Sequence, residues 1–249
     1  MRPLSALELL GVWERGRRQS PVRQALLLLE AACPDETPEA LAALPVGRRD
    51  ARLLKLRALM LGSHLESVVA CPACGEQLEF SLEAETLLVT VEEDLPETFT
   101  IQSDGYEVSF RLPNSLDLAD VAAREDAGAA REDAGAALLL ERCLVYARQE
   151  NQDVTVAQLP EEVAAAIVDG MLHADPQAEV HLALSCPACA HQWQSLFDIV
   201  SFFWGELEAW ARRLLYDVHT LASAYGWREA DILAMSAWRR EQYLNMANR

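Results

Sequence analysis

One tetrapeptide occurs twice: Cys71-Pro-Ala-Cys74 and Cys186-Pro-Ala-Cys189. Each copy leads into a polar-then-aromatic strand pattern, Gly75-Glu-Gln-Leu-Glu-Phe80 and Ala190-His-Gln-Trp193. A Cys-x-x-Cys turn aims two thiolates at one point, and two such turns make the tetrahedral sulfur cage that Zn²⁺ favours. About 110 residues separate the turns, against roughly 15–20 in an ordinary zinc ribbon. If the pair closes, it is a clasp between distant parts of the chain rather than a small autonomous finger. Cys71, Cys74, Cys186 and Cys189 are therefore the expected ligands of a structural zinc. Iron of the rubredoxin kind needs the same four thiolates and stays open. A redox dithiol expects one motif at a helix N-terminus beside a βαβ unit, whereas here two motifs each enter a strand. A disulfide framework suits short secreted chains. His191 is left out of the ligand set because four cysteines suffice.

The 249 residues are 51% hydrophobic, enough for one large or two modest domains with a substantial core. A net charge of −18 argues against general nucleic-acid binding, which depends on neutralising phosphates. The charge is uneven. Arg15, Arg17, Arg18, Arg23, Arg48, Arg49, Arg52, Lys55 and Arg57 make the first quarter basic, and the stretch from Glu76 to Glu107 is acidic. Such polarity suits protein contacts and equally suits solvated faces. The apolar run after Met1 is short and broken by Glu8, unlike a secretory signal. No stretch approaches the roughly 18 apolar residues of a spanning helix. Cys33 and Cys143 fall in helical patterns and read as buried small hydrophobes. The expectation is a soluble chain of a reducing cytoplasm.

Along the chain, Ser20-Pro21 and Thr37-Pro38 are helix starts. Leu53, Leu56, Leu59 and Met60 follow helical spacing, with Gly62 as a stop. After Cys74 the period changes to two. Leu78, Phe80 and Leu82 alternate, as do Leu87, Val89 and Val91, and Phe99 and Ile101 face Tyr106, Val108 and Phe110 across Ser103-Asp104-Gly105. One small antiparallel sheet is expected over 65–112. A helical insert follows over 113–176, carrying Ala-Arg-Glu-Asp-Ala-Gly-Ala verbatim at 123–129 and 130–136, with strong helical character from Leu138 to Arg148. The copy reads as a slipped duplication on a surface helix. Val180, Leu182 and Leu184 alternate into the second cysteine turn. From Ile199, apolar residues recur every three or four places through Leu221, an amphipathic helix. Short helices are expected at 229–233 and after Ser236. The organisation expected is a helical region over 1–64, a sheet with the first cysteine turn over 65–112, the insert over 113–176, and the second turn with C-terminal helices over 177–249. The class is α+β, mostly helical with a small antiparallel sheet, and with a zinc-ribbon-like clasp of four cysteines joining distant segments. Four of the six tryptophans lie between Trp204 and Trp238. They suit either core packing against the N-terminal helices or a partner anchor, since Trp, Tyr and Arg dominate binding hot spots.

Several motifs in order resemble the baseplate hub assembly chaperones of large contractile-tailed phages and their relatives in phage-derived contractile injection systems. They are Pro45-Val-Gly-Arg-Arg-Asp-Ala-Arg-Leu-Leu54, both Cys-Pro-Ala-Cys turns, Phe110-Arg-Leu-Pro113, Asp198-Ile199, Trp210-Ala211, Val218-His-Thr-Leu-Ala-Ser-Ala-Tyr-Gly-Trp227, Ala230-Asp-Ile-Leu233 and Arg239-Arg240. The resemblance covers most of the chain from Ser20. The Tyr225-Gly-Trp227 tail is also similar to short tail proteins encoded near the tape-measure gene in other contractile phages. The resemblance implies a non-enzymatic protein that helps assemble the hub or tail-tube start, with hub or tape-measure polypeptides as partners. It implies a metal clasp fixing the sheet against the C-terminal helices, while the tail residues Tyr225, Trp227, Trp238, Arg239, Arg240 and Tyr243 engage a partner. No glycine-rich phosphate loop, nucleophile elbow or His-Glu-x-x-His occurs, and four sulfurs leave a metal no open position for water. A stable structural component of the injection particle is the alternative, followed by a thiol oxidoreductase.

Overall fold

The computed structural model describes residues 1–89, 96–126, 132–150 and 152–247. In chain order the elements are α1 (Ala6–Gly16), α2 (Pro21–Ala32), α3 (Pro38–Ala42), α4 (Val46–Leu61), β1 (His64–Ala70), β2 (Gln77–Glu83), β3 (Phe99–Ser103), β4 (Tyr106–Phe110), α5 (Ser115–Asp126), α6 (Glu132–Cys143), β5 (Leu144–Gln149), β6 (Gln152–Asp153), α7 (Glu161–Ala174), β7 (Val180–Ser185), β8 (Gln192–Phe197), α8 (Ile199–Tyr225), α9 (Glu229–Leu233) and α10 (Ala237–Ala247). The class is α+β, with small antiparallel sheets. The chain divides into two compact units, one of residues 1–36 and 199–249, the other of residues 37–198.

The first unit is helical. Ser5 and Glu8 form a reciprocal capping box at the start of α1, and the Ser20 hydroxyl accepts from the Arg23 N–H at the start of α2. The α8 stripe is buried at Ile199, Phe203, Leu207, Ala211, Leu214, Val218 and Leu221. It packs on α1 and α2, with α9 and α10 returning against it. Trp204 is buried and lies over Gly16, whose missing side chain makes room for the indole. For this tryptophan the core reading holds.

The second unit holds all the described strands. β1–β2 and β7–β8 are separate two-stranded hairpins, and β3-β4-β5-β6 is a four-stranded sheet. Tyr106, Val108, Phe110 and Ala147 of that sheet pack with Val163 and Ile167 of α7 into one apolar core. Each large apolar side chain fully buried there contributes about 1.5–3 kcal/mol. Asp104 and Gly105 both have positive φ (48° and 80°), the two-residue turn that matches strand twist.

Three expectations change. The single sheet over 65–112 is two sheets. Between them Ala84–Leu87 is a 3₁₀ turn rather than a strand, and Val91 lies outside the described residues. Helix does not run on to Arg148: α6 ends at Cys143 and β5 begins at once, pairing with β4. The surface helix expected to carry the duplicated heptad is two helices, α5 and α6, which pack on each other. The duplicated heptad falls across their junction, and its middle, 127–131, lies outside the described residues.

The pair α5–α6 is pinned by a buried carboxylate. Asp117, in the first turn of α5, accepts from Arg111 at 2.6 and 2.8 Å and from Arg142 Nε at 2.9 Å. Asp117 also accepts from the Asn114 N–H, while Asn114 Oδ1 accepts from the N–H groups of Leu116 and Asp117. Phe110-Arg-Leu-Pro113 thus supplies a core aromatic and a guanidinium fork. Pro45-Val-Gly47 is a second seam: Val46 N–H donates to Pro113 O at 3.0 Å and Gly47 N–H to Asp175 Oδ2 at 2.8 Å. Arg49 and Arg57 of the basic quarter are buried, so those two charges lie inside the unit rather than on a basic surface.

Candidate metal centre

Each cysteine pair sits at the tip of a hairpin, and the two tips have the same backbone plan. Cys71 N–H donates to Glu76 O at 2.8 Å and Gly75 N–H to Cys71 O at 2.9 Å. In the second copy Cys186 N–H donates to His191 O and Ala190 N–H to Cys186 O, both at 2.9 Å. The residue after the second cysteine is left-handed in both, Gly75 at φ 77° and Ala190 at φ 58°. Glycine takes that conformation without strain, whereas the Cβ of alanine is crowded there.

The tips meet. Cys71 Sγ lies 3.7 Å from Cys189 Sγ, and Cys74 Sγ lies 3.6 Å from Cys186 Sγ. All four sulfurs fall within 4.8 Å of one another. A tetrahedron with metal–sulfur bonds of about 2.3 Å has edges of about 3.8 Å, so the donor set fits a tetrahedral ion. The first cysteine of each turn is buried and the second exposed. Cys71 and Cys186 join Leu78, Val69 and Trp193 in a small apolar cluster. His191 stacks on Trp193 at 5.9 Å and stays outside the cluster of potential ligands.

The electrostatics suit a cation. Burial raises the Cys71 thiol, but N–H groups of Cys74 and Ala73 and the neighbouring sulfurs lower it, to about 7. At Cys74 the Glu76 N–H lowers the pKa, yet the sulfurs of Cys189, Cys186 and Cys71, together with burial, push it up to about 12. Cys189 is also raised: the His191 N–H and the Cys74 thiol lower it, and burial with the sulfurs of Cys186 and Cys71 outweighs them. Packed thiolates repel, and a divalent ion at their centre relieves that repulsion.

The clasp joins hairpin β1–β2 to hairpin β7–β8, both within residues 37–198. It therefore does not tie a sheet to the C-terminal helices, which belong to the other unit. The tail residues are arranged differently from one another. Tyr225 and Trp227 stack at 4.5 Å, and Tyr243 meets Trp227 edge-on at 4.8 Å. Arg239 lies 5.9 Å over the Tyr243 ring. Arg240 is buried and donates to Met235 O at 2.7 Å. Trp238 stands apart, 70% exposed. The Arg111–Asp117–Arg142 network has no long-range signal in the sequence, although Asn114-x-x-Asp117 is a readable reciprocal cap.

Fold and centre together define an α+β protein whose second unit is closed by four cysteines on paired hairpins. The sequence matches the family described as T4 bacteriophage base plate protein over residues 7–204, and the chain belongs to that family. The match spans both cysteine turns and ends within α8, before the tail aromatics. No curated protein and no solved structure matches. Membership gives the chain a baseplate-related role in association with phage tail proteins. No helix among the described residues is long and apolar enough to cross a membrane.

Proposed function

We propose that this chain is a non-enzymatic assembly factor for the baseplate hub, or for the tail tube and tape-measure, of a contractile phage tail or contractile injection system, and that its four cysteines hold a structural zinc. The observation that carries the reading is the closed sulfur set at the meeting of two hairpins. Four protein ligands complete a tetrahedral zinc and leave no position for a reacting water. The centre then acts by holding two hairpins in register, and the protein acts by binding. Family membership supplies the setting, and the exposed Trp238 with the Tyr225–Trp227–Tyr243 stack supplies an aromatic surface suited to a partner.

Co-expression with hub or tape-measure protein tests the role. A complex that survives purification, weakened by Trp238→Ala at unchanged melting temperature, is expected, together with an assembly defect on deletion. No complex and normal assembly would refute it. Elemental analysis should find about one zinc per chain with the four thiols shielded in the native state. Bound iron would correct the metal, and four readily titrated thiols would favour a thiol oxidoreductase. The second reading is a stable structural component of the particle, which the family's description as a base plate protein favours. Mass spectrometry of purified particles separates the two: stoichiometric chain in the finished particle supports the component, scarcity the assembly factor.

A further inference from the structure

A groove of about 780 Å³ in the second unit lies away from the cysteines, between strand β3 and helix α7. Among the described residues β3 has β4 on one side and no strand on the other. Its register fixes which backbone groups face that open side. Ser103 and Tyr106 flank the two-residue turn, so they exchange hydrogen bonds, and so do the pairs two residues on. Thr100 and Gln102 therefore turn their N–H and C=O groups outward, and both line the groove. The apolar floor is Phe99, Ile101 and Phe110. Gly170 of α7 keeps it open at side-chain scale, since a Cβ there would come 3.1 Å from Phe110 Cζ.

The geometry points to a β-augmentation site: an extended, basic segment of a partner protein pairs with β3 and sets an apolar side chain in the groove. Outward main-chain donors and acceptors at two-residue spacing select a strand, and a pocket beside them selects alternate side chains. Charge selects the partner. Exposed Asp169 lines the groove, Glu97 lies next to its Pro96 end, and Asp104 follows Ser103 at the other. A second copy fits badly. Antiparallel pairing of two β3 strands about Ile101 brings Asp104 of one towards Glu97 of the other, between chains that each carry −18. The inference goes beyond the assembly-factor reading and requires neither the metal nor the C-terminal aromatics.

The test uses fluorescence anisotropy on the full chain with a short fluorescein-labelled peptide alternating valine with lysine. The comparison peptide has the same sequence with alternate backbone nitrogens methylated, which keeps the charge and removes the strand-pairing donors. Thr100→Pro deletes an outward N–H at an edge position where proline is tolerated, and Asp169→Lys reverses the rim charge. Melting curves check that both variants fold. Expected are saturable binding at physiological salt, affinity about tenfold lower in Thr100→Pro, a several-fold loss in Asp169→Lys, and no binding of the methylated peptide. Equal binding of the methylated peptide would reduce the effect to bulk charge and overturn the site, as would absence of binding or unchanged affinity in folded variants. If Thr100→Pro fails to fold, Asp169→Lys decides. Self-association by sedimentation that Thr100→Pro removes, with no peptide bound, would make a second copy the occupant and equally overturn the proposal.

Discussion

Cys74 and Cys186 bring their Sγ atoms to 3.6 Å although 112 positions separate them in the chain. A metal shared across that distance closes a very long loop, and cross-linking a loop of about 100 residues is worth about 4–5 kcal/mol in the chain-entropy account.

Cys71→Ser or Cys186→Ser should therefore lower stability by several kcal/mol, of the order of that closure term, and strong chelators should lower the melting temperature of the wild type to a similar degree. The two effects should not add, since each removes the same cross-link. Thermal melts with and without chelator check this. An unchanged melting temperature in either mutant would remove the clasp.

The two left-handed residues give a prediction of opposite signs. Gly75→Ala places a Cβ at φ 77° and should cost about 1 kcal/mol, whereas Ala190→Gly relieves φ 58° and should gain up to about 1 kcal/mol. Urea titration of both variants measures it. Equal shifts of the same sign would show that the two turns lack the shared backbone plan.

Asp117 makes stability pH-dependent. Burial raises its pKa, but the Arg111 fork, the Asn114 N–H and Arg142 outweigh that and hold it below the usual carboxylate value. With the folded pKa below the unfolded one of about 3.9, the unfolded state binds the proton more readily, so this contribution is present above pH ~4 and lost as pH falls through the folded value. Asp117→Asn should cost about 3 kcal/mol at neutral pH and flatten the acid limb of the stability curve. Denaturation at a series of pH values checks both, and an unchanged acid limb would exclude the mechanism.

Glycine space predicts a contrast between two helices. A Cβ on Gly47 would collide with the Asp175 carboxylate that accepts from the Gly47 N–H, and would lie 2.7 Å from Ala178 N. Gly47→Ala should cost about 2 kcal/mol or more. Gly205, within α8, has nothing within 4 Å of its would-be Cβ, so Gly205→Ala should gain about 0.5–1 kcal/mol from helix propensity. Differential scanning calorimetry of the pair tests it; a stable Gly47→Ala would mean that the Asp175 seam yields at no cost.

Features with short-range causes were legible. The Asp104-Gly105 turn, the caps at Ser20 and Thr37, the α8 stripe and both cysteine turns all sit where their residues put them. The α6–β5 boundary was not, because Leu144–Gln149 follows the helix without a breaker and a short apolar run fits either period. What makes it a strand is pairing with β4, a partner far away in sequence.

By itself the sequence determined the two knuckles, because a Cys-x-x-Cys turn carries its geometry in four residues, and it determined most helix starts, because a cap acts within one turn. Only the tertiary structure decided that the knuckles belong to one unit, that Arg49, Arg57 and Asp117 are interior, and that β3 is an edge among the described strands, beside a groove. Those facts depend on which distant surfaces exclude water from each other, and no local pattern records that.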